Sequence, residues 1–196
     1  GKTTTTMLTY HILKNAGLNI GLAGNIGKSF ARQVAFQNFD YYVLEISSFM
    51  LDNMYDFKAD IAVLLNITPD HLDRYDYKME NYADSKFRII QNQKQGDVFI
   101  YCADDEETQK GLLKHPINVN AVPFSIEKIL DHGAYLQDDQ INITLHHKNQ
   151  ESFTMSIKDL ALQGKHNIYN SMASGIVAKV LELRNETIRE SMASFT

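Results

Sequence analysis

Tryptophan is absent from this 196-residue sequence, proline occurs three times and cysteine once. The lone Cys102 cannot close an internal disulfide, so the chain is not a small cross-linked scaffold of an oxidising compartment, and a reducing cytoplasm fits it best. No run approaches the roughly 20 apolar residues that span a bilayer, so no membrane partner is expected. Positive charge is short as well: 19 Lys and Arg stand against 24 Asp and Glu, a formal net charge of -5. That balance removes any general attraction to nucleic acid, and phosphate binding has to be argued locally. Internal repeats, low-complexity tracts and evident linkers are also missing, so one domain is the default. The opening Gly1-Lys2 reads as the inside of a motif, and the chain is expected to be an excerpt of a longer protein. Nothing in the pattern bears on oligomeric state.

What is present alternates. Thr3 to Asn15 carries Met7, Leu8, Ile12 and Leu13 at helical spacing and stops before Gly17. Apolar, partly β-branched runs at Leu18 to Leu22, Tyr41 to Ile46, Ile61 to Ile67 and Asp97 to Cys102 suit strands buried on both faces of a parallel sheet. Helical stretches are expected between them at Lys28 to Phe36, Ser48 to Tyr55 and Met79 to Gln91. The fold class is therefore α/β, a mostly parallel sheet of the P-loop type flanked by helices. From Ala134 to Ile157 the period changes to two, which predicts a small antiparallel β appendage. Helix returns at His166 to Leu183, with Ile168, Met172, Ile176, Val177 and Val180 as its core stripe, and a last helix starts near Glu186.

Two features suggest chemistry. Gly1-Lys2-Thr3-Thr4 followed by a helix matches the tail of a G-x-x-x-x-G-K-[ST] phosphate loop. There, backbone N–H groups and the positive helix end hold phosphates, Lys2 reaches the terminal oxygens and the Thr3 hydroxyl can take Mg²⁺. The same tripeptide also occurs at ordinary solvated helix starts. The second feature is acid at strand ends. Tyr41 to Glu45 closes on a carboxylate placed where open α/β sheets collect ligands, and Ser47 or Ser48 offers an N-cap to the next helix. Glu45 can hold Mg²⁺ there, or simply face solvent. After the strand at Ile61 to Ile67, the cluster Asp70, His71 and Asp73 offers either metal ligands or loop caps.

Gly24-Asn25-Ile26-Gly27, Leu44-Glu45-Ile46-Ser47-Ser48-Phe49, Asn66-Ile67-Thr68-Pro69-Asp70-His71-Leu72-Asp73-Arg74-Tyr75 and Gly164-Lys165-His166-Asn167-Ile168-Tyr169-Asn170 occur in the order of successive signatures of the Mur ligases. The chain resembles the central, ATP-binding domain of that family over essentially its whole length. The Ser-Ser-Phe and Asp-His-Leu-Asp-Arg-Tyr variants point to the branch that adds D-glutamate to UDP-N-acetylmuramoyl-L-alanine, although Met50 stands where that branch usually has Gln.

The resemblance implies an ATP-dependent, ADP-forming amide ligase of peptidoglycan precursor synthesis, working through an acyl phosphate. It implies ATP and two Mg²⁺ ions, with Gly1, Lys2, Thr3 and Thr4 on the phosphates and Asn167 and Asn170 on the nucleotide. Thr3 and Glu45 would hold one Mg²⁺, and His71 with a carbamylated Lys86 the second. Asn25 and Ser47 would face the substrate, and Lys2, His71 and Lys86 would carry catalysis. The family's UDP-binding and last ligase domains have no counterpart in residues 1–196, so this piece alone is expected to be inactive. The alternatives are another Mur ligase, a folylpolyglutamate synthase-like ligase, or a P-loop hydrolase or kinase. The last has no need of the Asp70 to Tyr75 or His166-Asn167 segments.

Overall fold

The computed structural model describes residues 1–146 and 152–196. The expected Ala134 to Ile157 alternation is thus described except for 147–151, which lie outside these residues. Elements run in the order α1 (Lys2–Asn15), β1 (Ile20–Gly24), α2 (Phe30–Phe36), β2 (Tyr41–Glu45), α3 (Ser48–Leu51), β3 (Ile61–Leu64), α4 (Met79–Phe87), β4 (Val98–Cys102), α5 (Glu106–Lys114), β5 (Asn120–Ser125), β6 (Gly133–Gln137), β7 (Gln140–Thr144), β8 (Phe153–Ser156), α6 (Lys165–Val180) and α7 (Asn185–Ser194). A 3₁₀ turn at Leu72–Tyr75 sits between β3 and α4.

Parallel pairing dominates, as expected, but the strands fall into two sheets: β1 with β2, and a six-stranded sheet in the order β3-β4-β5-β6-β7-β8. Pairing is parallel from β3 to β6. The antiparallel strands are no separate layer. They extend the six-stranded sheet, since β6 pairs parallel with β5 and antiparallel with β7.

Side-chain alternation splits the core across this sheet. Along β4, Val98, Ile100 and Cys102 enter one apolar cluster with Leu8, Ile12, Phe124, Ile143 and the buried face of α6. Phe99, between them, enters another with Leu64, Ile67, Tyr75, Tyr82 and Phe87. Covered on both faces, β4 is apolar throughout, the composition of a central parallel strand.

α5 and β5 were not among the expected elements. α5 starts where Asp105 accepts from the Thr108 N–H, a side-chain N-cap. β5 is disguised by Pro123, a residue rare inside sheets because it has no N–H to donate. Here Pro123 faces β4 on one side, while β6 joins only at Phe124 and Ser125, so no ladder bond is lost on the second side. Two expected helices end a full turn early. α3 ends at Leu51 and α4 at Phe87, the latter running into a 3₁₀ turn, Arg88–Ile90. Among the described residues no helix is long and apolar enough to cross a membrane.

Candidate active site at the strand ends

Gly1 gives α1 no side-chain cap, and the first turn contains no acidic residue. An anion is the natural complement to the N–H groups of such a turn and to the positive end of its dipole. Gly1, Lys2 and Thr3 are exposed there, and Thr4 is half-buried. One turn further on, α1 is sewn to α6. The Thr5 hydroxyl donates to Asn170 Oδ1 at 2.9 Å, and Thr9 donates to Ser174 at 3.0 Å.

Asn170 is itself buried, at 3% exposure, and its amide donates to Asn167 Oδ1 at 3.1 Å. The two asparagines do share a helix face, as their spacing requires. Asn167 sits half-buried at the rim, its own amide donating to the Gln163 carbonyl. Asn170 thus links the helix behind Lys2 to the side chain of Asn167.

Glu45 closes β2 with 3% of its surface exposed. The Asn25 amide donates to its Oε1 at 3.0 Å, while Oε2 is buried with no hydrogen-bond partner. A desolvated carboxylate oxygen without a donor is costly, and a cation is the natural complement to it. The Gly24-Asn25 segment lies directly on this residue, with the Asn25 N–H donating to the Glu45 carbonyl at 2.7 Å. A Cβ on Gly24, whose φ is +101°, would stand 2.2 Å from that carbonyl oxygen, so only glycine permits the approach. Ser47 caps α3 by accepting from the Met50 N–H at 3.3 Å, which occupies the hydroxyl oxygen expected to face substrate.

The third strand end is bound to the others through aromatic rings. Phe49, on α3, meets the His71 ring edge-on at 5.3 Å and the Tyr75 ring at 6.3 Å, with the Arg74 guanidinium 4.3 Å from its own centre. His71 is exposed, holds a left-handed backbone at φ 49°, and lies 3.4 Å from the Asp70 carboxylate. A non-glycine residue in that region stores strain that its surroundings must hold. Asp105, after β4, accepts from the Ile67 N–H at 3.2 Å and so ties the Asp70 to Tyr75 segment to the start of α5.

Lys86 lies half-buried on α4, its ammonium 4.7 Å over the Tyr82 ring. Burial, helped by the nearby charge of Lys2, brings its pKa down from 10.5 to about 8, while Asp70 and Asp105 pull the other way. Lys2, Asp70, Lys86 and Asp105 therefore share one electrostatic neighbourhood, although they come from α1 and from the segments after β3, before β4 and after β4. Among the described residues no three His, Cys, Asp or Glu side chains converge on one point as a ready-made metal site. The donors that fit a cation are the unpartnered Glu45 oxygen and the exposed His71 ring. Asp105 was invisible to motif reading except as the first residue of an Asp-x-x-Thr cap.

A phosphate-loop-like helix start, a buried acid at the end of β2 and a desolvated lysine in the field of Lys2 stand together on one α/β domain. The profile of the Mur ligase middle domain matches residues 1–178, and the chain belongs to that family. Its relatives carry narrower names. It is 54% identical over 195 residues to the UDP-N-acetylmuramoylalanine--D-glutamate ligase of Christiangramia forsetii, and 54% identical to that of Bacteroides fragilis. All of this chain is covered in both comparisons but only 43% of each relative, so it spans about two fifths of their length.

Among solved structures it is similar to the UDP-N-acetylmuramate:L-alanyl-gamma-D-glutamyl-meso-diaminopimelate ligase from Neisseria meningitides. That comparison has a TM-score of 0.72 and 20% identity, and covers all of this chain and 63% of the other. MurF ligase from Thermotoga maritima in complex with ADP gives a TM-score of 0.69 and 20% identity, with 100% of this chain and 46% of that one covered. At such identities these two establish the fold.

Proposed function

We propose that this domain is the ATP-binding part of a cytoplasmic, ADP-forming ligase that joins D-glutamate to UDP-N-acetylmuramoyl-L-alanine in peptidoglycan precursor synthesis. The observation that carries this reading is the start of α1 at Lys2, without a side-chain cap, together with the buried and unpartnered Glu45 oxygen at the end of β2. The names of relatives 54% identical to the chain support the substrate pair, and the ADP bound by the MurF structure supports the nucleotide.

In the reaction, a carboxylate oxygen of the acceptor attacks the γ-phosphorus, the bond to the ADP oxygen breaks and an acyl phosphate forms. The D-glutamate amine then attacks the acyl carbon, phosphate leaves, and the amine gives up a proton. Lys2 and the N–H groups of Gly1 to Thr4 hold the phosphates in line, with Asn167 against the nucleotide and Asn170 fixing it from behind. Thr3 and Glu45 would hold one Mg²⁺, and His71 with Lys86 a second. Magnesium, when bound, offsets the negative charge that the triphosphate and acceptor bring together. Asn25 orients Glu45 and faces the acceptor, and Ser47, whose oxygen caps α3, offers the acceptor its hydroxyl proton.

An ammonium at Lys86 would repel a cation, so its neutral form matters. With its pKa near 8, about one tenth of Lys86 is uncharged at pH 7, against roughly one in 3,000 for an ordinary lysine. The neutral amine can attack the carbon of CO₂, forming a C–N bond and releasing one proton to give an anionic carbamate. Incubation of the full-length ligase with ¹³C-bicarbonate should give a carbamate resonance that Lys86→Ala abolishes. A coupled ADP assay offering D-glutamate, L-alanine, a diamino acid and D-alanyl-D-alanine in turn tests the reaction itself. Turnover with D-glutamate alone is expected; preference for another amine would overturn the substrate, and no amine-dependent ADP release would overturn the ligase.

A further inference from the structure

Asp52 lies just past α3 and belongs to none of the motifs above. Its Oδ2 accepts from the Tyr75 hydroxyl at 2.9 Å and its Oδ1 from the Ser85 hydroxyl at 2.6 Å. Tyr75 and Ser85 are both buried, at 8% and 3% exposure, and their own oxygens lie 3.2 Å apart. Ser85 also approaches the Ser48 carbonyl at 3.1 Å, but it has one proton, and the shorter contact to a carboxylate is the stronger bond. The two hydroxyls come from different segments. Tyr75 ends the 3₁₀ turn that begins next to His71, and Ser85 is the residue before Lys86 on α4. Phe49, three residues before Asp52, stacks on Tyr75 and meets His71 edge-on.

We infer that Asp52 is a positioning residue whose carboxylate clamps the segments carrying His71 and Lys86, and so sets the spacing of the second cation site. This rests on the ligase reading above. Across the left-handed pair Asp76 and Tyr77, the main chain is tied by the Lys78 N–H to the Tyr75 carbonyl at 2.9 Å and by the Asn81 amide to the same carbonyl at 3.3 Å; the Asp52 carboxylate adds the ties between the buried side chains of Tyr75 and Ser85. His71 is exposed, and its ring meets Phe49 edge-on, on the same α3 end that carries Asp52. Partners behind metal ligands typically change metal affinity or activity 10–100-fold when lost.

The test uses the full-length ligase. Initial rates against Mg²⁺ concentration, at saturating substrates, are compared for wild type, Asp52→Ala, Asp52→Asn and the double variant Tyr75→Phe/Ser85→Ala. Mn²⁺ binding by electron paramagnetic resonance and thermal melts accompany them. Asp52→Ala and the double variant should raise the Mg²⁺ and Mn²⁺ half-saturation about tenfold or more, with KM for D-glutamate within about twofold of wild type. Asp52→Asn, which keeps one acceptor oxygen, should recover part of the loss. Unchanged metal dependence, with rates falling only in step with the melting temperature, would reduce Asp52 to a scaffold residue and overturn the inference. If Asp52→Ala does not fold, Ser85→Ala alone decides by the same two titrations. Tight Mn²⁺ binding lost in Asp52→Ala, without wild-type ligation, would instead sink the ligase reading and leave the clamp standing.

Discussion

The far end of the six-stranded sheet and the strand-end site are built on opposite terms. Around β5 to β8 and α6 the side chains of Phe124, Ile141, Ile143, Phe153, Met172 and Ile176 are completely buried, and among the described residues no buried side-chain oxygen or nitrogen there lacks a partner. At the site, Lys2, Thr3 and His71 are exposed, and Glu45 buries an oxygen with no partner. One region lowers the free energy of the fold, and the other is held in a costly arrangement by it. Such a division is expected where binding groups must be kept unsatisfied until their ligand arrives.

The largest effect should come from the first region. Phe124→Ala removes a wholly buried ring and should cost about 3–5 kcal/mol of stability in urea unfolding, while the folded fraction keeps its nucleotide affinity. Loss of nucleotide binding in that fraction would break the separation. Next, Lys2→Ala should leave the melt within about 0.5 kcal/mol of wild type, because Lys2 is exposed. Turnover of the full-length enzyme should nevertheless fall a hundredfold or more, about 3 kcal/mol in the barrier. Near-normal rates would remove Lys2 from the phosphate site.

The smallest effect is a slope. Lys86 has a folded pKa near 8 and an unfolded value of 10.5, so the cost of burying its charge is present in full below about pH 8 and disappears as pH rises through 10.5. In CO₂-free buffer, wild-type stability should therefore gain relative to Lys86→Met between those limits. Lys86→Met should be the more stable of the two at pH 7, and parallel pH profiles would contradict the desolvation of Lys86.

The sequence was most legible where local and global preferences agree. α1 and α6 carry helical stripes ending near a glycine or a core edge, and β2, β3 and β4 are short apolar runs that no amphipathic helix would produce. β5 was missed because Pro123 argues against a central strand, and only the offset of β6 makes it harmless. α5 was missed because nine residues with one cap give little periodic signal. At the site, Lys2, Glu45 and His71 stand in motifs at strand and helix ends, whereas Lys86 was singled out only by the family resemblance. Asn170 shows the limit. Its place on the Asn167 face followed from i, i+3 spacing, but its burial against Thr5 depends on a helix 165 residues away. Asp52, Ser85 and Asp105 carried no motif, since their roles lie in bonds between distant segments.

By itself, then, the amino-acid order determined most of the elements other than α5 and β5, the α/β class and which acids close the strands, because periodicity, capping and motif spacing act over a few residues. Only the tertiary structure decided that Lys86 is desolvated, that Glu45 keeps an unpartnered oxygen and that one carboxylate spans Tyr75 and Ser85. Burial and hydrogen-bond satisfaction are properties of what surrounds a group, and those surroundings are assembled from parts of the chain that do not meet until it folds.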